Sequence, residues 1–300
     1  MLFAAKPGPL DQFTDVSGLK VGQAHDARVR TGVTVIVPDF PVAMAVDVRG
    51  GAPGTRDTEA LDPSCLVEKV HGLVLAGGSV FGLAAADAVT LELSARGVGL
   101  PLGPKAVPVV PSAILFDLMN GGDKDWGCEP PYHRLAREAL DSACGQVDHG
   151  AVGAGFGAMA GAAPGGLGSA SLMLEDGTMV SAIVAVNSFG AVPDGALPAP
   201  GDIEFPKLGL VGSNTTIGAV ATNIALDKAA LKRVAMMAHD GFARAVKPIH
   251  TPYDGDTIFA ISNGEKPVAG ELAGALALLG AMAADCMELA IRRAVAKADG

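Results

Sequence analysis

Two pairs of β-type runs in this chain are each separated by only four residues, 31–37 from 42–48 and 169–174 from 179–187. Four residues leave no room for the helical crossover that a parallel pair requires, so each pair is expected to close as an antiparallel hairpin. A purely parallel, doubly wound sheet is thereby excluded. The turn chemistry agrees, with Pro38-Asp39-Phe40-Pro41 in the first gap and Glu175-Asp176-Gly177 in the second. Around the hairpins, 72–76, 217–221 and 257–261 read as further strands. The Ala/Leu-rich stretch up to Arg96, and residues 133–143, 226–245 and 268–297, carry helical composition. Strands and helices alternate to the end, so both faces of the sheets need cover. The expectation is one α/β domain over residues 1–300, built of stacked layers and without a fixed-period repeat.

Composition sharpens this picture. The chain is 49% apolar but only 4% aromatic, with 40 glycines, so small residues must fill the interior and bring backbones close together. The longest apolar run, 272–284, lies between Glu271 and Asp285 and is shorter than the roughly 20 residues of a membrane span, which predicts a core helix. Lys6 and two prolines interrupt the first ten residues, so no signal-peptide core forms there. Cys65, Cys128, Cys144 and Cys286 show no C-x-x-C spacing and read as reduced thiols of a cytoplasmic protein. With 22 basic against 32 acidic residues, the net charge of -10 disfavours nucleic acid as a partner. Six scattered histidines without an H-E-x-x-H pair indicate no metal site, and nothing local favours Ser-His-Asp chemistry.

Several glycine-rich segments invite functional readings. Gly153-Ala154-Gly155-Phe156-Gly157-Ala158 imitates a dinucleotide fingerprint, yet residues 142–150 before it carry Cys144, Gln146, Asp148 and His149 where a buried strand is needed. A tight-packing glycine loop is the preferred reading, with no bound cofactor. Gly78-Ser79-Val80-Phe81-Gly82 follows a strand and precedes a helix, but a nucleophile elbow needs glycine where Phe81 stands. Its N–H groups can receive an oxyanion, or Ser79 is an ordinary N-cap.

The most informative segment is Gly212-Ser213-Asn214-Thr215-Thr216-Ile217, between the proline-rich stretch 192–206 and a strand. Two threonines before a β run are ordinary strand residues. A threonine at a strained loop-to-strand junction can also attack the preceding carbonyl, shift the acyl group from nitrogen to oxygen, and leave a free N-terminus once water cleaves the ester. The freed α-amine, with a reference pKa of about 7.7–8.0, is then a general base on the same residue as the hydroxyl. Downstream, Asp254-Gly255-Asp256 reads either as a solvated turn or, if extended, as two carboxylates on one face able to hold an ammonium.

Taken in order, six segments carry a resemblance: Asp15-Val16-Ser17-Gly18-Leu19-Lys20-Val21-Gly22; Asp47-Val48-Arg49-Gly50-Gly51-Ala52-Pro53-Gly54-Thr55-Arg56; Gly77-Gly78-Ser79-Val80-Phe81-Gly82-Leu83; the Gly153 loop; Asn214-Thr215-Thr216; and His250-Thr251-Pro252-Tyr253-Asp254-Gly255-Asp256-Thr257. Together they resemble the aminopeptidase/D-esterase family of self-processing hydrolases, which includes β-peptidyl aminopeptidases and a nylon-oligomer hydrolase. The resemblance implies a four-layer αββα sandwich. It further implies cleavage between Asn214 and Thr215 into 1–214 and 215–300, with Thr215 as the N-terminal nucleophile. By position Asn187 resembles the family's oxyanion-stabilising asparagine, and Asp254 and Asp256 its supporting acidic pair. A small peptide or amide substrate, and a homo-oligomer of processed heterodimers, follow from the same likeness. Two departures stand out: Ala162-Ala163-Pro164 replaces a lysine common before Gly165-Gly166, and Asn223 occupies a position where aspartate is common. Acyl transfer through the same threonine, or a non-catalytic homologue that never cleaves, are the competing readings.

Overall fold

A computed structural model describes residues 4–202 and 214–298. In chain order the strands are β1 (Lys6–Pro7), β2 (Leu19–Asp26), β3 (Thr31–Pro38), β4 (Ala43–Val48), β5 (Thr55–Arg56), β6 (Leu73–Ala76), β7 (Ser112–Ile114), β8 (Met159–Ala160), β9 (Ala163–Pro164), β10 (Gly166–Met173), β11 (Met179–Asn187), β12 (Thr215–Ile224) and β13 (Thr257–Lys266). The helices are α1 (Ala84–Ala95), α2 (Tyr132–Asp141), α3 (Lys228–Ala245) and α4 (Leu272–Ala296). One sheet runs β1-β10-β11-β12-β13-β4 and the other β2-β3-β6-β7-β5. Among the described residues, only β12–β13 and β6–β7 pair in parallel within these sheets.

Three hydrophobic clusters separate four layers. Val184, Val220, Ile258, Leu231, Phe242 and Met287 pack α3 and α4 on the outer face of the six-stranded sheet. Ile183, Ile217, Phe259, Leu73 and Leu75 fill the space between sheets, while Val33, Val35, Val74, Val89 and Leu135 join the second sheet to α1 and α2. The period of two along β11, Ile183 inward and Val184 outward, is the pleat made visible. This is the αββα sandwich that the resemblance implies. All ten residues of β12 are buried, as a central strand covered on both faces must be.

The glycines serve close approach. A Cβ on Gly168 would collide with the Ala290 carbonyl of α4, and one on Gly241 of α3 would stand 2.8 Å from Met287 Cβ. Helices and sheet therefore meet backbone to backbone, which 4% aromatic content makes necessary. Asp227 caps α3 by accepting the Ala230 N–H at 2.8 Å. The apolar run 272–284 forms part of α4, which is long and apolar enough by length and composition to cross a membrane, yet it lays Leu279, Ala283, Met287 and Ile291 into the outer core.

The hairpin of β10 and β11 forms as expected, with Gly166 opposite Val186 through Met173 opposite Met179. The other expected hairpin does not. β3 pairs with β2 and β6, whereas β4 joins β13 in the opposite sheet. Strand β2 is the competitor: it offers β3 eight residues of register, and its alternation is blurred in the sequence by Lys20, Gln23, His25 and Asp26. Pro41, which has no N–H to give a ladder, stands where the chain leaves one sheet for the other. The proline-rich stretch is held at its start, where Arg292 and Lys247 donate to the Pro193, Pro198 and Ala199 carbonyls, and its residues beyond 202 lie outside the described ones.

Candidate active site

The first residue of β12 and the last of β11 are Cα partners, Thr215 with Asn187. Opposed residues of an antiparallel pair share a face, here the one turned toward the second sheet, since Ile217 and Ala185 belong to the inter-sheet core. Thr215 is 2% exposed and Asn187 1%. The Thr215 hydroxyl lies against the Asn214 carbonyl, donating to it, and the Asn214 N–H donates to Tyr253 O at 3.3 Å. On the far side stands Gly255, where a Cβ would come within 2.8 Å of Thr215 Oγ1 and 2.6 Å of Ala52 O. Only a residue without a side chain lets the hydroxyl sit there.

Asp254 and Asp256 therefore flank the residue that faces the hydroxyl, and both are fully buried. Asp254 Oδ1 accepts the Phe189 N–H (2.9 Å), and its Oδ2 accepts the Thr251 hydroxyl (2.6 Å) and N–H (3.1 Å). Asp256 Oδ1 accepts the Thr216 N–H at 2.9 Å. Burial above all, and then the neighbouring Asp256 carboxylate, push Asp254 up to about 6, while its three donors pull the other way. The loop that follows β4 closes over this pair. Ala52 N–H donates to Asp254 O and Arg49 N–H to Asp256 O, and a Cβ on Gly50 would run into both backbones. The Asp47–Arg56 motif is thus a lid of glycines pressed on the acidic turn.

Asn187 is oriented from three sides. Its Oδ1 accepts Met159 N–H (2.9 Å) and Asn120 Nδ2 (3.3 Å), and its Nδ2 donates to Phe116 O (2.9 Å), leaving the second N–H of that amide for another acceptor. Met159 is paired with Pro164 in the small β8–β9 ribbon, so the segment that departs from the lysine pattern still shapes the site through its backbone. The structure brings Thr215, Asn187, Asp254 and Asp256 close to one another. The sequence did not single out Asn120, His250 or Thr251 individually. Asn120 heads Asn120-Gly121-Gly122, a turn signature that hides a side chain aimed inward at Gly157 O and Asn187.

The remaining motifs are architectural. The Gly78 N–H is taken by Asp117 Oδ1 (2.8 Å) and the Ser79 N–H by Leu115 O (2.9 Å), so neither awaits an oxyanion, and the N-cap of the short 3-10 helix Ser79–Leu83 is Gly78 and not Ser79. Asp117, buried with Thr31 Oγ1 2.6 Å away, is pushed up by desolvation. Gly153, Gly155 and Gly157 abut Thr34, Leu167 and Arg30 in tight packing. Asp15 accepts the Leu10 and Gln12 N–H groups and the Ser171 hydroxyl, tying the N-terminal segment to β10.

A buried hydroxyl beside a carbonyl, an oriented amide and two carboxylates are thus gathered in one place. Comparison with known proteins gives the family. The sequence matches peptidase family S58 over residues 11–300. It is 41% identical to an uncharacterised aminopeptidase of Mycobacterium tuberculosis (strain ATCC 25618 / H37Rv), covering 96% of this chain and 94% of that protein. It is 30% identical to a 6-aminohexanoate-oligomer endohydrolase of Kocuria sp. (strain KY2), covering 91% and 82%. Among solved structures, a Burkholderia sp. beta-aminopeptidase superposes with a TM-score of 0.76 at 22% identity, covering 98% of this chain and 88% of that one. The L-aminopeptidase D-Ala-esterase/amidase of Ochrobactrum anthropi, a variant of the Ntn hydrolase fold, gives 0.74 at 23%, with the same coverage. The fold is that of the Ntn-type aminopeptidases. The chain belongs to peptidase family S58, a family of aminopeptidase and amidase hydrolases.

Proposed function

We propose that this hydrolase cuts its own Asn214–Thr215 bond and then uses the freed Thr215 to hydrolyse short peptides or peptide-like amides. The reading is supported above all by one juxtaposition: the Thr215 hydroxyl lies on the Asn214 carbonyl, in a buried slot between Asn187 and the Asp254-Gly255-Asp256 turn.

In the first reaction Thr215 Oγ attacks the Asn214 carbonyl carbon, the C–N bond breaks, and the hydroxyl proton ends on the departing nitrogen. Water then opens the ester, leaving Asn214 with a carboxylate and Thr215 with an amine. In turnover the amine takes the proton of its own hydroxyl, and Oγ forms the acyl-enzyme as the C–N bond of the substrate breaks and the proton passes to the leaving amine. Water then cleaves the ester to free the acid and restore the hydroxyl. The free N–H of Asn187 faces the developing oxyanion, and the acidic pair holds the α-ammonium. Residues 1–214 and 215–300 stay together, because β12 is laddered to β11 of the first piece and α4 covers β10 and β11. Homo-oligomers of such pairs are expected, with the exposed Leu272 and Leu289 of α4 as contact candidates.

Mass spectrometry of the purified wild type beside Thr215→Ala is the test. Wild type should give two fragments meeting at 214/215, and the variant one intact chain without amidase activity. An active wild type with no chain beginning at Thr215 sinks the proposal; an intact, inert one supports the non-catalytic homologue. Acyl transfer to an added amine without hydrolysis supports the transferase.

A further inference from the structure

Asp256 is held by more than its contact with β12. Its second oxygen, Oδ2, accepts two hydrogen bonds from one residue, the His250 N–H at 3.1 Å and the His250 Nδ1–H at 2.8 Å. A carboxylate oxygen can only accept, so Nδ1 is the donor in this contact, and Nε2 is the other ring nitrogen. That Nε2 is buried without a hydrogen-bond partner, an arrangement with a cost that folding alone does not explain. The backbone is also unusual: His250 has φ +56, the left-handed region that a non-glycine residue enters only under constraint. Two rings of α3 hold the imidazole in place. Phe242 stacks on it with centroids 5.9 Å apart, and His239 meets it edge-on at 4.8 Å. His239 in turn points Nε2 at the Asp47 carbonyl, 3.1 Å away, at the root of the glycine lid.

We propose that His250 is a positioning residue: its two donors fix Asp256 Oδ2 so that Oδ1 stays on the Thr216 N–H and the nucleophile's residue is set in the geometry that both self-cleavage and turnover require. The inference deepens the reading above and rests on it. The chain of contact is short. His250 holds Asp256, Asp256 holds Thr216, and Thr216 is bonded to Thr215. A dangling carboxylate would rotate toward Thr215 or away from β12, and the hydroxyl would lose its alignment with the carbonyl. Strain at His250 and the orphaned Nε2 are the structural cost of presenting two N–H groups to one oxygen.

The test uses two substitutions of different reach in the full chain. The side-chain nitrogen of His250→Asn falls near the position of Nδ1, and asparagine tolerates φ near +56. The amide of His250→Gln projects one bond further and misses Asp256. Self-cleavage half-life, kcat, KM and melting temperature are measured for both and for wild type. Expected for Gln is a ten- to hundredfold loss in cleavage rate and in kcat with KM within about twofold, the scale of a lost charge-assisted hydrogen bond. Asn should lie within about threefold of wild type. An Asn variant that falls tenfold or more while melting like wild type overturns the inference, whether or not the Gln variant folds, and so does a Gln variant as fast as wild type. Either outcome leaves the self-cleavage reading intact as long as wild type yields a chain beginning at Thr215; if it does not, that reading fails first.

Discussion

Asn214-Thr215 leads into strand β12 and Thr222-Asn223 stands just before its last residue, and the two ends are built to opposite specifications. At the C-terminal end, Thr222 donates to Met179 O (2.9 Å), while Asn223 accepts the Met179 N–H (2.9 Å) and donates to Gly177 O (2.9 Å). These three bonds close the β10–β11 turn against β12. At the N-terminal end Thr216 Oγ1 and His250 Nε2 are buried without partners, His250 is strained, and Asp254 is kept from ionising easily. One end spends its hydrogen bonds on stability. The other leaves groups unsatisfied around a hydroxyl, as expected where a site must bind and react rather than merely hold.

The contrast breaks most visibly at Asn187. Asn187→Ala removes the amide facing the expected oxyanion, and kcat should fall about 10²–10³-fold with KM little changed. A fall in KM-related affinity alone, with kcat intact, makes Asn187 a strand-end residue like Asn223. Next in size is the pH profile. On the proposed mechanism the Thr215 amine must be neutral to accept a proton, so log kcat/KM should rise with slope one up to about pH 8. Burial and Asp256 raise Asp254 to about 6, so below that pH its proton is taken up and the acidic pair loses a charge. The slope should therefore steepen to two below about pH 6, as a property of the pair. A slope that never exceeds one removes the Asp254 carboxylate from turnover.

Much of this was legible beforehand, and for unequal reasons. The β10–β11 hairpin and the helices α3 and α4 announced themselves because their periodicity is unbroken, and their turn and cap residues, Asp176-Gly177 and Asp227, agree with it. The switch of β4 into the other sheet was hidden, because a four-residue gap says nothing of which partner wins and β2 carries polar residues on both faces, Lys20 and Asp26 on one and Gln23 and His25 on the other. Thr215, Asn187, Asp254 and Asp256 were singled out by motif resemblance. Their meeting depends on β11, β12 and the turn before β13 lying side by side, a long-range register that no local pattern contains. His250 heads one of the six segments, yet neither it nor Asn120 was given a role, because their work is to hold other side chains.

Smaller effects test the support around the site. Burial drives His239 down to about 3, so it stays neutral in the fold. The sign follows: the unfolded chain binds a proton near 6.5 and the folded one does not, so stability is full above 6.5 and falls as pH drops toward 3. From pH 7 to 5 this amounts to about 2 kcal/mol, a few degrees in melting temperature. His239→Gln, whose amide can still reach the Asp47 carbonyl, should melt with a flatter acid limb; an unchanged limb assigns the acid sensitivity to His71 or His149, which burial also depresses.

The smallest effect belongs to the satisfied end. Asn223 both accepts and donates, which an aspartate cannot do, so Asn223→Asp sets a carboxylate oxygen against the Gly177 carbonyl. The loss should be about 1 kcal/mol, read as a drop of a degree or two in melting temperature. Because Asn223 sits at the opposite end of β12 from Thr215, kcat and the self-cleavage rate should not move. Slower cleavage in Asn223→Asp at unchanged melting temperature means that the two ends of the strand are coupled. The division of labour between them is then a property of the whole strand and not of its termini.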